Sequence, residues 1–343
     1  MEKRSTIKDV ADLAGVSPST VSVVLNGVDG ARVAEDTRRR VTEAAERLGY
    51  EAHPLARGLR TRRSQTIGFV SDLVASTPYA GQMIQGAQDA AWRAGMLLLM
   101  VNTGRNLDLE RHAIRTLLQR QVDGIIYASM FHSITRVPRL SPARPLVLLN
   151  GIPAAGMLPN VVPDEIAGGA AATTELLESG HRRIAYVAEW RDIPAVELRL
   201  RGYREALERH GAHFDPALVL REEPGAAGGY RGVSSLLDLP EPPTAVFCFT
   251  DSMAMGAYRA AAERGVRIPD DFSVVGFDDH PLIASSLAPG LTTVGLPHYE
   301  MGEWAVETLL ELAEGTTAMT GRPLQMLMPC PLVRRDSVGP PSR

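Results

Sequence analysis

Asp278 directly follows the apolar run Ser273 to Phe277, which reads as a strand, and Arg199 stands at the opening of a helical stretch. A carboxylate accepting from two hydroxyls and a guanidinium donating to a ring or hydroxyl oxygen are the polar equipment with which a cleft holds a sugar-like molecule. Two blander readings stay open: a surface salt bridge for Arg199, and a helix cap for Asp278 beside Asp279. No catalytic constellation accompanies them. The sequence has no G-x-S-x-G, no G-x-x-x-x-G-K-[ST] and no H-E-x-x-H, and His210-x-x-His213 reads as a solvated pair near a helix end. Cys248 and Cys330 are the only cysteines and lack C-x-x-C spacing, so neither a disulfide framework nor a thiolate metal site is expected. The residues therefore point to a binding protein without metal or cofactor, not to an enzyme.

The elements that must position Arg199 and Asp278 are read from residue 65 onward, where short apolar runs alternate with helical stretches, the signature of a parallel sheet with covering helices. Candidate strands are Thr66 to Val70, Met96 to Asn102, Gly124 to Ala128, Leu146 to Asn150, Ile184 to Ala188, Ala245 to Phe249 and Ser273 to Phe277. A region of this length suits two similar subdomains of doubly wound parallel sheet, with a cleft at the C-terminal ends of their strands.

The N-terminal stretch has a different period. Residues 6 to 49 carry three short helical patterns. Thr6 caps the first, in which Ile7, Val10, Ala11 and Ala14 share a face, and Gly15 ends it. Ser17 caps the second with Pro18 at its first position, Val21, Val24 and Leu25 form its buried stripe, and Asn26-Gly27 stops it. The third runs from about Ala34 to Leu48, with Val41, Ala44, Ala45 and Leu48 inward and Gly49 just beyond its end. Two helices joined by the tight turn Gly15-Val16-Ser17 form the helix-turn-helix geometry that places a second helix in the DNA major groove; the alternative is a bundle that only docks on protein.

Charge agrees with a nucleic-acid partner. Residues 1 to 63 hold 12 Lys or Arg against 9 Asp or Glu, although the whole chain of 343 residues has a net charge of −4. Residues 50 to 64 form a basic linker, too short to be a stable helix in water, that orders on docking to DNA or to a partner. Apolar residues at 45% and charged residues at 22% fit a folded globular protein. The charged start at Met1 to Thr6 has no apolar signal core, and no run approaches the ~18 apolar residues of a membrane span, so a cytoplasmic location away from the membrane is expected.

Several separated motifs then agree with one family. Thr6-Ile7-Lys8-Asp9-Val10-Ala11, Val16-Ser17-Pro18-Ser19-Thr20-Val21-Ser22 and Leu25-Asn26-Gly27 lie in the head, and Ala56-Arg57-Gly58-Leu59 in the linker. Asp164 with Gly168-Gly169, Gly180-His181-Arg182-Arg183-Ile184, Arg199 with Gly202-Tyr203, Asp251 with Ala254-Met255-Gly256, Ile268-Pro269-Asp270-Asp271, Val275-Gly276-Phe277-Asp278 and Leu291-Thr292-Thr293-Val294 follow. Over essentially its whole length the chain resembles the lactose repressor/galactose repressor (LacI-type) transcription regulators.

The resemblance implies an all-α helix-turn-helix head at 1–49, a hinge helix at 50–64, and a core at 65–343 like a periplasmic sugar-binding protein. In that core an N-subdomain of about 65–161 plus 292–324 joins a C-subdomain of about 162–291 plus 325–338. It implies base reading by Pro18, Ser19 and Val23, where Val23 replaces a common Arg or His and leaves only apolar contact, for instance with a thymine methyl. Thr6, Thr20, Ser22 and Asn26 fall where phosphate is contacted, although for Thr6 and Ser17 a capping role stands equally. Ala56, Arg57 and Leu59 fall in the minor-groove hinge. Leu59, apolar in a basic linker, matches the residue that wedges a central base step, with packing on the core as the alternative. Besides Arg199 and Asp278, the implied ligand contacts are Tyr79, Asn150, Asp164, Thr250 and Phe247; Thr250 replaces a common Asn, and of Phe247 and Phe249 at most one faces the cleft.

The expectation that follows is a repressor acting on a pseudo-palindromic duplex operator, its DNA affinity controlled by a small-molecule effector, a sugar or sugar derivative, through the angle between subdomains. The sign, inducer or corepressor, stays open. A homodimer is expected, with a tetramer left open; the tail after Arg335, short, Pro-containing and without heptads, favours the dimer modestly. A sugar-transport component would share the core but has no use for the N-terminal bundle.

Overall fold

A computed structural model describes residues 5–25, 33–50, 64–76, 81–137, 144–314 and 325–342. They fall into two compact units, one comprising the chain up to Thr66 with Leu118–Asp123, the other Ile67–Leu117 with Gly124 onward.

In the first unit Thr6 opens helix α1 (Ile7–Ala14) through a reciprocal cap: Asp9 N donates to Thr6 Oγ1 and Thr6 N donates to Asp9 Oδ2. Gly15 ends α1 at φ 67°, a left-handed conformation that glycine adopts without a Cβ penalty. Ser17 Oγ accepts from Thr20 N across 3.1 Å, so the serine caps α2 (Pro18–Leu25) as its position predicts. Helix α3 (Glu35–Arg47) starts with Glu35 and Asp36, which suit the positive end of the helix dipole. Val10, Ala11, Val21, Val24, Val41 and Ala44 interlock as one small core, and Arg40 Nη1 donates to Ala14 O across 3.0 Å, satisfying a terminal carbonyl of α1.

The second unit is built on two sheets of six strands each. The first contains β1 (Thr66–Ser71), β2 (Leu97–Asn102), β3 (Gly124–Thr135), β4 (Leu146–Pro153) and β5 (Asn160–Pro163), in the order β2-β1-β3-β4-β5 with one later strand beyond β5. Helix α4 (Gly81–Arg93) and α5 (Leu107–Gln119) connect these strands, and β1, β3, β4 and β5 pair in parallel register. After β5 the chain enters α6 (Glu165–Glu178) and the second sheet. There β6 (Ile184–Glu189), α7 (Pro194–Arg209), β7 (Val219–Glu222), α8 (Ala226–Leu237), β8 (Ala245–Cys248), α9 (Asp251–Glu263), β9 (Ser273–Asp278) and β10 (Thr292–Gly295) repeat the alternation in the order β7-β6-β8-β9-β10. Strands β1, β6, β8 and β9 are buried on nearly every residue, which is why they read as unbroken apolar runs. Tyr186 on β6 stacks on Phe247 at 4.9 Å and on Tyr203 at 5.6 Å in the second core, while Phe69, Ile126, Leu149 and Trp304 share the first.

The seven candidate strands are present, with β2 starting one residue later and β3 running on to Thr135, past a register shift between Ala128 and Ser133. The subdomain boundaries need correction. Thr292–Gly295 pairs in parallel with Val275–Asp278 and belongs to the second sheet, so the chain returns to the first only at α10 (His298–Ala313). Strand β11 (Gln325–Met328) pairs in parallel with Asn160–Pro163 in the first sheet, and the last crossing leads to β12 (Leu332–Val333), antiparallel to β10. Asn160–Pro163 likewise puts the first crossing after residue 163 rather than 161. Strands of four residues or fewer carry no period that a sequence can show, and strand pairing decides their side.

Among the described residues no helix is long and apolar enough to cross a membrane.

Candidate functional site

The C-terminal ends of strands from both sheets surround a cavity of about 370 Å³. Open α/β sheets bind ligands there because the strand ends and following loops diverge at the point where strand order reverses. Arg199, Asp278, Asn150 and Thr250, all expected from the sequence, line it.

Arg199 lies inside α7 rather than at its start, since the helix begins at Pro194. Its Nε donates to Glu165 Oε2 across 2.6 Å and its Nη1 to Phe249 O across 2.5 Å. The guanidinium carbon stands 3.5 Å from the Phe277 ring centroid and 4.3 Å from that of Phe249. Neither a surface salt bridge nor a freely mobile side chain fits this arrangement: the pair is buried and held from several sides. Burial alone would raise the Glu165 carboxyl, but Arg199 and His132 hold it below the usual range.

The α6 and α7 backbones approach closely at Gly169 and Gly202. A Cβ on Gly169 would lie 2.5 Å from Arg199 O, and one on Gly202 would lie against Ile166 O. The glycine motifs noted in the sequence thus have a mechanical role: they bring Glu165, at the start of α6, within reach of Arg199 on α7.

Asp278 ends β9 at φ 118° and Asn150 lies on β4 at φ 58°, both in the region costly for side-chain-bearing residues, by roughly 1–3 kcal/mol each. Asn150 Nδ2 donates to Ser129 O at 3.1 Å and Met130 O at 3.2 Å, while its Oδ1 is buried without a partner. Burial pushes Asp278 well above the usual carboxylate range; Arg199 opposes this, and Asp251, Glu165 and Glu189 add to it. The alternative of a helix cap fails for Asp278, which leads into turns. Thr250 lines the cavity and also caps α9, its hydroxyl accepting from Met253 N across 3.2 Å.

Two expected contacts are corrected. Asp164 accepts from Ala167 N across 3.0 Å as the cap of α6 and does not line the cavity, whereas the next residue, Glu165, does. Phe247 sits within β8, fully buried between Tyr186 and Phe277, and Phe249, one residue past the strand end, takes the cavity position. Tyr79 falls outside the described residues. Glu165, His132, Phe249 and the Glu189–Arg191 pair went unpredicted: nothing in a single sequence distinguishes a carboxylate after Asp164, and His132 lies past the expected end of its strand at Ala128. The cysteines are free and buried, and burial pushes both thiols up, away from reactive thiolates.

In the head, Pro18 and Ser19 are exposed at the start of α2, while Thr20, Ser22 and Val23 are half-buried. Thr6 Oγ1 donates to Asp9 Oδ2 across 2.7 Å within its cap, and Ser17 Oγ lies 2.6 Å from Ser19 Oγ and 2.9 Å from Thr20 Oγ1. Asn26, Ala56, Arg57 and Leu59 fall outside the described residues.

Residues 6–53 match the model for bacterial regulatory proteins of the lacI family, and residues 173–338 match that for a periplasmic binding protein-like domain. The chain is 34% identical over 339 residues to the HTH-type transcriptional repressor CytR of Escherichia coli (strain K12), covering 98% of this chain and 97% of that one. The HTH-type transcriptional repressor PurR of Aliivibrio fischeri (strain MJ11) is 33% identical over 311 residues, 90% of this chain and 91% of the relative. Among solved structures, the lac repressor dimer bound to operator and the anti-inducer ONPF superposes with a TM-score of 0.79 at 26% identity, over 98% of this chain and all of that one. The transcriptional regulator CelR–cellobiose complex gives 0.66 at 31% identity over 97% and 100%. A helix-turn-helix head together with a two-sheet periplasmic-binding-protein-like core defines a class of DNA-binding transcription regulator. The chain belongs to the lacI family of bacterial regulatory proteins, as a DNA-binding transcriptional repressor and not an enzyme.

Proposed function

We propose that this repressor binds a two-fold symmetric operator as a homodimer, each subunit supplying one head, and that a sugar or related polar small molecule in the core cavity sets its affinity for DNA. The observation that carries the effector reading is the polar lining: Arg199, Asp278 and Asn150 converge on one cavity at the strand ends, two of them with strained backbones. The neighbour solved with cellobiose supports a sugar, and the neighbour solved as a dimer on operator supports the assembly. Leu97, 61% exposed, and Met100, 46% exposed, lie on the edge strand β2, and Leu282 is 73% exposed; such apolar surface favours burial against a second copy.

In the head, Pro18, Ser19 and Val23 read bases, with Ser19 the polar reader. Thr20, Ser22, Asn26 and Thr6 position the head on phosphates, and Ala56, Arg57 and Leu59 form the minor-groove hinge, Leu59 as the wedge.

Selection of binders from a randomised duplex library with purified full-length protein at near-physiological salt, then retesting of the winners against a sugar panel, tests this reading. Enrichment of a two-fold symmetric site whose retention changes with one sugar is expected. No enrichment from folded protein, with the panel absent and again with it present, would overturn it.

A further inference from the structure

His132 is 3% exposed, lines the cavity, and has no hydrogen-bond partner for either ring nitrogen. A buried imidazole left unpaired costs free energy, and such groups in a folded protein await a partner. It sits on β3 within the register shift between Ala128 and Ser133, as do Ser129 and Met130, whose carbonyls hold Asn150, and Asn150 Oδ1 is a second buried orphan. His132 Nδ1 stands 3.6 Å from Glu165 Oε1, too far for a hydrogen bond. In a neutral imidazole one of the two ring nitrogens is an acceptor and the other a donor. With Asn150 Oδ1, the cavity wall thus carries buried polar atoms whose partners must come from outside the protein.

Its cations, by contrast, each already face a carboxylate. Arg199 is bonded to Glu165 and Phe249 O, Arg191 to Glu189 through two nitrogens, and Arg105 to Asp72 at 3.4 Å. Arg191 also lies 4.1 Å over the Phe131 ring. A phosphate or carboxylate on the ligand would have to compete with these carboxylates for the same cations, whereas a neutral molecule rich in O–H or N–H groups leaves every pair intact.

We propose that His132, with Asn150, is a specificity-determining contact that selects an uncharged, donor-rich ligand, a free sugar or a nucleoside, against its phosphorylated form. This rests on the cavity being the effector site. The shared chemistry is a set of neutral hydroxyl or amino donors, and the source is distinguished by the probes.

The test is calorimetry on the full-length protein without DNA, using glucose, ribose, cellobiose, adenosine and uridine, and in parallel glucose 6-phosphate, ribose 5-phosphate and adenosine monophosphate. Expected is binding by a neutral sugar or a neutral nucleoside, with the matching phosphate ester at least tenfold weaker. His132→Phe should weaken the neutral compound about tenfold or more, as expected when a buried hydrogen bond is lost, and His132→Gln, which keeps an acceptor, should recover part of it. Unchanged circular dichroism in His132→Gln guards against misfolding. Binding by phosphate esters alone, binding by no neutral compound, or equal affinity in wild type and both variants would overturn the proposal. A neutral compound that binds through His132 yet leaves duplex retention unchanged would uphold it and count instead against effector control of DNA binding.

Discussion

Arg199 Nε and Glu165 Oε2 lie 2.6 Å apart with the two side chains only 4% and 2% exposed. Breaking such a pair from one side strands the other charge in a low-dielectric interior, at a cost of about 3–5 kcal/mol. Glu165→Ala is therefore expected to lower the urea midpoint of the core strongly. A midpoint within error of wild type would mean that solvent reaches Arg199 and that the pair is not a structural element.

Replacing both partners separates folding from recognition. Glu165→Gln with Arg199→Met removes the stranded charge, so the double variant should be more stable than Glu165→Ala while losing its response to the neutral compound that binds wild type. Operator affinity without that compound should stay within a few-fold of wild type. Unchanged calorimetric affinity in the double variant would remove Arg199 from the ligand site and leave it a purely structural cation.

Asp251, at the start of α9, accepts from Thr293 Oγ1 across 2.5 Å and from His280 N across 2.6 Å, but burial still pushes its carboxyl up to about 7. The hydrogen bonds from Thr293 and His280 oppose the shift, Asp279 adds to it and Arg335 works against it. An acid raised in the folded state holds a proton that the unfolded chain has already released. Its contribution to stability is therefore fully present below the ordinary value of 3.8 and is lost as pH rises toward about 7. The slope from this one group is at most about 1.4 kcal/mol per pH unit. Asp251→Asn, which cannot ionise, should lack this component, so the wild-type urea midpoint should fall relative to the variant between about pH 4 and pH 7. Parallel midpoints across that window would show Asp251 charged throughout.

With Leu59 in the proposed wedge role, Leu59→Ala should weaken binding to the selected operator while leaving the weak, salt-sensitive binding to random duplex nearly unchanged, because a wedge stabilises only the bent, specific complex. Titration of both duplexes at several salt concentrations reads the difference. An equal loss on the two would assign Leu59 to core packing instead.

How far the sequence carried depends on where the signal was stored. The head was legible in detail because caps and turns are local: Thr6 with Asp9, Gly15 at positive φ, and Ser17 before Pro18 each fix backbone geometry within a few residues. The long buried strands were legible as apolar runs. Thr292–Gly295 and Gln325–Met328 were not placed, since their sheet is chosen by partners over a hundred residues away or more in β5 and within twenty in β9. Arg199 and Asp278 were singled out by residue type and place, Asn150 and Thr250 by the family resemblance, and all four line the cavity. Asp164 and Phe247 were missed by one or two residues, because whether a side chain at a strand end caps a helix, enters the core or faces the cavity depends on the local direction of the backbone. His132 had no signal: its significance is the absence of partners, which only packing reveals.

The Gly169 and Gly202 contact links a sequence motif to the cavity and gives the sharpest test of that dependence. A methyl group at residue 202 would stand within bonding-clash distance of Ile166 O and 2.7 Å from Ala170 N, both backbone atoms that no rotamer change can move. Gly202→Ala must therefore push α6 and α7 apart, an overpacking cost of roughly 1–3 kcal/mol. The two helices carry Glu165 and Arg199. Separation should stretch that ion pair as well as lower the denaturation midpoint, so affinity for the neutral compound should fall by more than the stability loss alone would cause at saturating folded protein. A variant destabilised to this extent but binding with wild-type affinity would show that the helix contact supports the fold without setting the geometry of the site.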